Sequence, residues 1–151
     1  MRMVDVSGKA ATARIAVARA ELRCSAESLA VVREGRAKKG DVLAAARLAG
    51  VMAAKRTPDL VPLCHPIALS GVEMSVEPDE ARGCFAIEAR VKTVERTGVE
   101  MEALTACAAA ALTIYDMLKS GDRGMEIASV RLVRKSGGRS GDWRRAGERK
   151  R

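Results

Sequence analysis

One long, smooth helix sets the frame for the rest of this chain. Thr97-Gly98-Val99-Glu100 has the spacing of a capping box, in which a hydroxyl and a carboxylate satisfy two otherwise free N–H groups. Helix-forming sequence follows as far as Lys119, and Gly121 stops it. The longest stretch without a charge or strongly polar group, residues 103–114, is twelve residues long and includes Thr105 and Thr113. A bilayer crossing needs about 20 apolar residues, so no membrane-spanning helix is expected. Just before this helix, Cys84–Glu95 alternates Phe85, Ile87, Ala89 and Val91 with Glu88, Arg90 and Lys92. That is the period of a half-buried strand.

The remaining elements fit around these two. Residues 12–23 mix β-branched and charged positions and read as a strand. Ser25 can cap a short helix through Arg33, which Gly35 ends. Asp41 caps a longer helix to about Arg56, with Val42, Ala45, Ala49 and Met52 at helical spacing and Pro58 barring its continuation. Residues 58–70 read as a turn of helix and an ordered loop. Residues 72–76 and 127–133 read as strands, with Pro78-Asp79 and Arg82-Gly83 making a hairpin connection. Hairpins combined with helices on one sheet face indicate an α+β layered domain. Residues 1–135 are expected to form that domain and residues 136–151 a flexible Gly/Arg-rich tail.

The chain has 151 residues, 48% apolar and 30% charged, which suits one globular domain and excludes a disordered chain. The net charge is 27 − 19 = +8. Half of it lies in the tail, where Arg139, Arg144, Arg145, Arg149, Lys150 and Arg151 face only Asp142 and Glu148. A basic tail suits an anionic partner, and a nucleic-acid-binding module is the alternative reading it supports. The aromatic residues are only Phe85, Tyr115 and Trp143, too few for base-stacking platforms, so no nucleic-acid partner is expected. Arg2, Asp5, Lys9, Arg14 and Arg19 interrupt any apolar leader, and a cytoplasmic location is expected. Cys24, Cys64, Cys84 and Cys107 have no C-x-x-C spacing and His65 is the only histidine, so no metal site is expected.

Two places look unlike pure scaffold. In Pro62-Leu63-Cys64-His65-Pro66, prolines fix the backbone on both sides of the imidazole, although a lone loop histidine is most often just a satisfied polar residue. The long helix carries Glu100 and Glu102 at its start and Asp116 and Lys119 at its end. Glu100 has an explanation as the capping acid, and Glu102 has none. Asp116 can pair with Lys119 three residues on, yet an acid at a helix C-terminus opposes the dipole. Fourteen residues of helix put Glu102 and Asp116 about 21 Å apart on nearly one face, so a single small ligand reaches both only if a second subunit completes the site. Lys39 and Lys55 are further candidate cations, flanking the second helix.

Taken together, Met3-Val4-Asp5-Val6-Ser7, Lys39-Gly40-Asp41-Val42, Ala54-Lys55-Arg56-Thr57, Pro62-Leu63-Cys64-His65-Pro66, the run from Thr97 to Thr105, Leu112-Thr113-Ile114-Tyr115-Asp116-Met117 and Lys135-Ser136-Gly137-Gly138 resemble the MoaC family, the cyclic pyranopterin monophosphate synthases of molybdenum-cofactor biosynthesis. The resemblance runs over nearly the whole chain. It departs only in the short leader before Met3 and in the Arg-rich tail.

The resemblance implies a ferredoxin-like α+β subunit, assembled as a homo-hexamer (a trimer of dimers) with interface active sites. It implies a nucleotide-derived substrate, 3′,8-cyclo-7,8-dihydroguanosine 5′-triphosphate, supplied by the radical enzyme MoaA. Asp116 is implied as catalytic with Lys119 beside it. Leu63, Cys64, His65, Met101 and Glu102 are implied to bind substrate, with Lys39, Lys55 and Glu100 lining the pocket. No cofactor is called for, and Mg2+ on the diphosphate group is left open.

Overall fold

In the computed structural model, which describes residues 1–148, β1 (Thr12–Arg23) is the central strand. It pairs antiparallel with β3 (Cys84–Glu95) on one side and with β4 (Glu126–Ser136) on the other. Outside these lie β2 (Gly71–Asp79) and the short β5 (Trp143–Arg144), giving the order β2-β3-β1-β4-β5. Helices α1 (Ala26–Arg33), α2 (Val42–Lys55), the single turn α3 (Thr57–Leu60) and α4 (Glu100–Leu118) complete the chain. This is the expected α+β arrangement, an open antiparallel sheet with the helices on one face and a ferredoxin-like fold.

Strand alternation decides which face the helices cover. Ala16, Ala18, Ala20 and Leu22 of β1 are buried beneath α4, with Phe85, Ile87, Ala89 and Val91 of β3 beside them. From above come Ala103, Ala106, Cys107, Ala110, Ala111 and Ile114. Small residues on both surfaces let helix and sheet approach closely, and Phe85, Leu22, Ile87 and Ile114 fill the remaining volume. α4 is long and apolar enough to cross a bilayer by length and composition alone, but here its buried apolar face covers the sheet.

α2 packs along α4 just as closely. A Cβ on Gly50 would lie 2.5 Å from Met74 Cε and 3.1 Å from the Ala106 carbonyl oxygen, so only glycine fits that crossing. With Gly50 beside Ala106 and Lys39 beside Asp116, the two helices run antiparallel.

The expected caps of α1 and α2 are in place: the Ser28 N–H donates to Ser25 Oγ and the Ala44 N–H to Asp41 Oδ1. The capping box before α4 is not. The helix begins at Glu100 after Val99, and no side chain caps it. Val99 is buried in the core, and that apolar anchor, rather than the Thr97 hydroxyl, fixes where the helix starts. Glu100 is therefore not committed to capping.

On the uncovered sheet face, charges pair across the strands. Arg19 donates to Glu88 at 2.6 Å, and Lys92 donates to Glu73 at 2.7 Å. Beyond β4 the chain turns through Gly137 and Gly138, both with positive φ, where a Cβ would strike the Ala13 carbonyl or the Arg14 guanidinium. The chain then returns along β4: the Arg145 N–H donates to the Val133 carbonyl, and Glu148 meets Arg19 and Arg131. Of the segment expected as a tail, residues 149–151, with their three basic side chains, lie outside the described residues.

Candidate active site

The proline-flanked loop follows α3 and lies against the N-terminal segment and the start of α4. His65 Nε2–H donates to the Val4 carbonyl at 2.7 Å, which fixes the tautomer and leaves Nδ1 as the acceptor. Leu63, Cys64, His65, Glu100 and Met101 line one cavity of about 500 Å3, together with Arg2 and Lys9.

Glu102 lies beneath this cavity rather than in its wall. It is 1% exposed, and burial pushes its carboxyl above the ordinary range. Cys64 Sγ–H donates to Glu102 Oε1 at 3.6 Å, whereas Oε2 has no hydrogen-bond partner. The same burial, with the Glu102 charge, pushes the Cys64 thiol up to about 11. The pair is thus a neutral thiol and a carboxyl with one oxygen to spare.

The second cluster sits at the other end of α4. Asp116 Oδ2 accepts from Lys39 Nζ at 2.6 Å, and Asp116 Oδ1 pairs with Lys119 Nζ at 2.7 Å. Lys39 also donates to the Asp116 main-chain carbonyl at 3.1 Å. Gly40, at φ 97°, makes the turn that delivers Lys39 to this point before Asp41 caps α2. Hydrogen bonds from Lys119 and then Lys39 hold the Asp116 carboxyl down to about 2. The two ammonium groups also answer the unfavourable dipole at this helix end. All three side chains are about half exposed and open to a ligand.

Within one chain the expected residues therefore fall into two groups. Leu63, Cys64, His65, Glu100, Met101 and the submerged Glu102 gather at the start of α4, and Lys39, Asp116 and Lys119 gather at its end. Lys55 ends α2 and, because α2 and α4 are antiparallel, lies towards the first group; among the described residues it forms no ion pair. Fourteen residues of helix separate the groups by about 21 Å.

Three cations escaped the residue-by-residue reading. Arg2 and Lys9 sit in a segment with no periodicity, and only the fold carries them to His65. Arg14 donates from Nε to the Glu95 carbonyl at 2.8 Å and from Nη2 to the Arg96 carbonyl, which fixes it near the start of α4. The tight Gly137-Gly138 approach was the signal that could have found Arg14. No three His, Cys, Asp or Glu side chains among the described residues gather as a metal site.

The chain is thus an α+β protein of ferredoxin-like fold, with a carboxylate held between two lysines at one end of its core helix and a histidine-bearing cavity at the other. The comparisons narrow this. A model of the MoaC family matches residues 3–138. A cyclic pyranopterin monophosphate synthase from Thermomicrobium roseum is 63% identical over 144 residues, covering 95% of this chain and 87% of that protein. Proteins of the same name from Cereibacter sphaeroides and Pelotomaculum thermopropionicum are 59% and 56% identical, covering 92% and 97% of this chain and 87% and 86% of theirs. The chain belongs to the MoaC family.

Proposed function

We propose that this chain is a lyase that converts 3′,8-cyclo-7,8-dihydroguanosine 5′-triphosphate to cyclic pyranopterin monophosphate and diphosphate, in molybdenum-cofactor biosynthesis. The observation that carries this reading is Asp116 between Lys39 and Lys119, in a chain 63% identical to a synthase of that name. Rebuilding the purine-derived ring needs proton transfers, and expelling diphosphate needs positive charge on the leaving oxygens. Asp116 is ionised at neutral pH and orients the two ammonium groups, which supply protons and charge. Lys55 and Lys39 hold the phosphates and His65 orients the base through its Nδ1 acceptor, while Leu63, Cys64, Met101 and Glu100 hold the ring system above Glu102. Mg2+, where it takes part, arrives on the diphosphate group.

The sites are completed by a second copy. Leu48 and Met52 of α2 and Met101 and Leu112 of α4 are exposed apolar side chains on the helix layer. Covering them removes an apolar surface unusual for a monomer. A two-fold axis crossing the middle of α4, where Thr105, Ala108 and Ala109 offer little bulk, sets Asp116 of one copy against Met101 and His65 of the other. Three such dimers make the hexamer. The protein works in the cytoplasm on the product of the radical enzyme MoaA.

Incubation with enzymatically prepared substrate tests the reaction. Cyclic pyranopterin monophosphate and an equivalent of diphosphate are the expected products, and unchanged substrate after many equivalents of enzyme refutes the proposal.

A further inference from the structure

On the sheet face away from the helices, Arg19 of β1 and Arg131 of β4 stand directly opposite one another. Like charges in that relation repel, and the chain sets a carboxylate between them. Glu148 Oε2 accepts from Arg19 Nη1 at 2.9 Å and Glu148 Oε1 accepts from Arg131 Nε, with the Glu148 side chain only 12% exposed.

The surrounding charges are already engaged. Arg19 also pairs with Glu88 on β3, while Glu21 and Asp79 are held by Arg82. Arg131 donates in addition to the Ser129 hydroxyl at 2.8 Å, and among the described residues its carboxylate partner is Glu148 alone. Without Glu148 the pair would face a cavity of about 660 Å3, lined also by Arg82 with its partners Glu21 and Asp79, with the Arg131 charge unanswered. The guanidinium fork that grips a carboxylate grips phosphate in the same geometry. Glu148 belongs to a segment beyond the residues that match the family, so the basic tail has a structural task of its own.

We propose that Arg19 and Arg131 form an oxyanion-binding site that the chain's own Glu148 carboxylate occupies, and that takes inorganic phosphate or diphosphate when Glu148 leaves. The tether gives Glu148 an effective concentration in the millimolar range, enough to mask a weak site. The segment also carries its own reporter: Trp143 lies in β5, with the Arg145 guanidinium 5.7 Å from its ring centre. The site shares no residue with the clusters on α4, so its failure leaves the proposed reaction standing.

The test is titration calorimetry of the full chain with inorganic diphosphate at fixed ionic strength. Glu148→Gln should bind one more diphosphate per chain than wild type, or bind it roughly tenfold more tightly, and Glu148→Gln/Arg131→Gln should lose that gain. In wild type, diphosphate but not chloride should move Trp143 emission toward that of Glu148→Gln. Equal binding by wild type and Glu148→Gln overturns the proposal, as does a gain that survives Arg131→Gln or an emission change that chloride reproduces. If the double variant does not fold, Glu148→Gln/Arg131→Lys decides: it loses the fork, and undiminished binding overturns the proposal.

Discussion

Lys39 donates to Asp116 across seventy-seven residues of sequence, at 2.6 Å from the carboxylate and 3.1 Å from the carbonyl of the same residue. That double contact ties the loop before α2 to the last turn of α4. It makes Asp116 the hinge of a three-membered charge cluster rather than half of an ordinary helix-surface pair.

The first expectation concerns turnover. Asp116→Asn keeps the shape but removes the negative charge that holds both ammonium groups, and Lys119→Ala removes one of them. Each should fold and assemble normally, because the side chains are half exposed. Each should lower kcat by roughly 10²–10⁴-fold, the usual weight of a positioned proton-transfer group. Steady-state rates beside circular dichroism check this, and near-wild-type rates would remove the residue from the machinery.

Acid stability follows from the same cluster. The Asp116 carboxyl is lowered from 3.8 to about 2, so the folded form binds fewer protons than the unfolded one. Its contribution to stability is present above pH 3.8 and is lost as pH falls through about 2. Asp116→Asn should flatten that part of the thermal-stability profile and leave the profile above about pH 5 nearly parallel to wild type. Melting curves from pH 2 to 6 read it directly.

Glu102 carries the opposite sign. Burial raises its carboxyl, so the folded state holds the proton more tightly, and its contribution falls as pH rises past the ordinary value of 4.5. Glu102→Gln should therefore melt no lower than wild type at pH 7–8, an advantage that shrinks as pH approaches 4.5. A variant that melts well below wild type at neutral pH would show that the carboxylate is needed ionised.

The proposed sharing of sites between two copies predicts complementation. Asp116→Asn and His65→Ala disable opposite ends of α4. In mixed dimers one site carries both lesions and the other carries neither. Random mixing should restore about one quarter of wild-type activity, from two parents that are each inactive. No recovery after verified subunit exchange would place both clusters in one self-contained site.

Gly50→Ala tests the α2–α4 contact. The added methyl can displace the tip of Met74, but it meets the Ala106 carbonyl at 3.1 Å, where only a helix shift gives relief. A loss of about 1–3 kcal/mol in urea unfolding is expected, as for an overpacked core. Activity should fall with it, because α2 carries Lys55 and follows Lys39.

Local chemistry made much of the fold legible in the sequence. Ser25 and Asp41 announced α1 and α2, and the alternation of residues 84–95 gave β3 and its buried face. Thr97 misled because a favourable local cap lost to the burial of Val99. β2 runs to Gly71–Asp79, longer than its composition suggested, because pairing with β3 carries weak strand formers along. At the site, helical spacing related Asp116 to Lys119 and separated both from Glu102. No spacing rule could join Lys39 to Asp116 or bring Arg2 to the cavity of His65, since both come together only once the layers close. Nor could composition reveal that Glu102 would lie below the surface with one oxygen unused.

The alanine bed under α4 makes that helix a gauge. Pressed onto Ala16, Ala18, Ala20 and Ala89, with Leu22, Phe85, Ile87 and Val91 filling the space between, it can neither tilt nor slide without opening voids, so the interval between its two charged ends is fixed by residue count. One extra residue inserted at its middle would swing Asp116 by about 100° away from Lys39 while sparing the hydrophobic layer near its start. The length of this helix is therefore as constrained as the small side chains of its buried face.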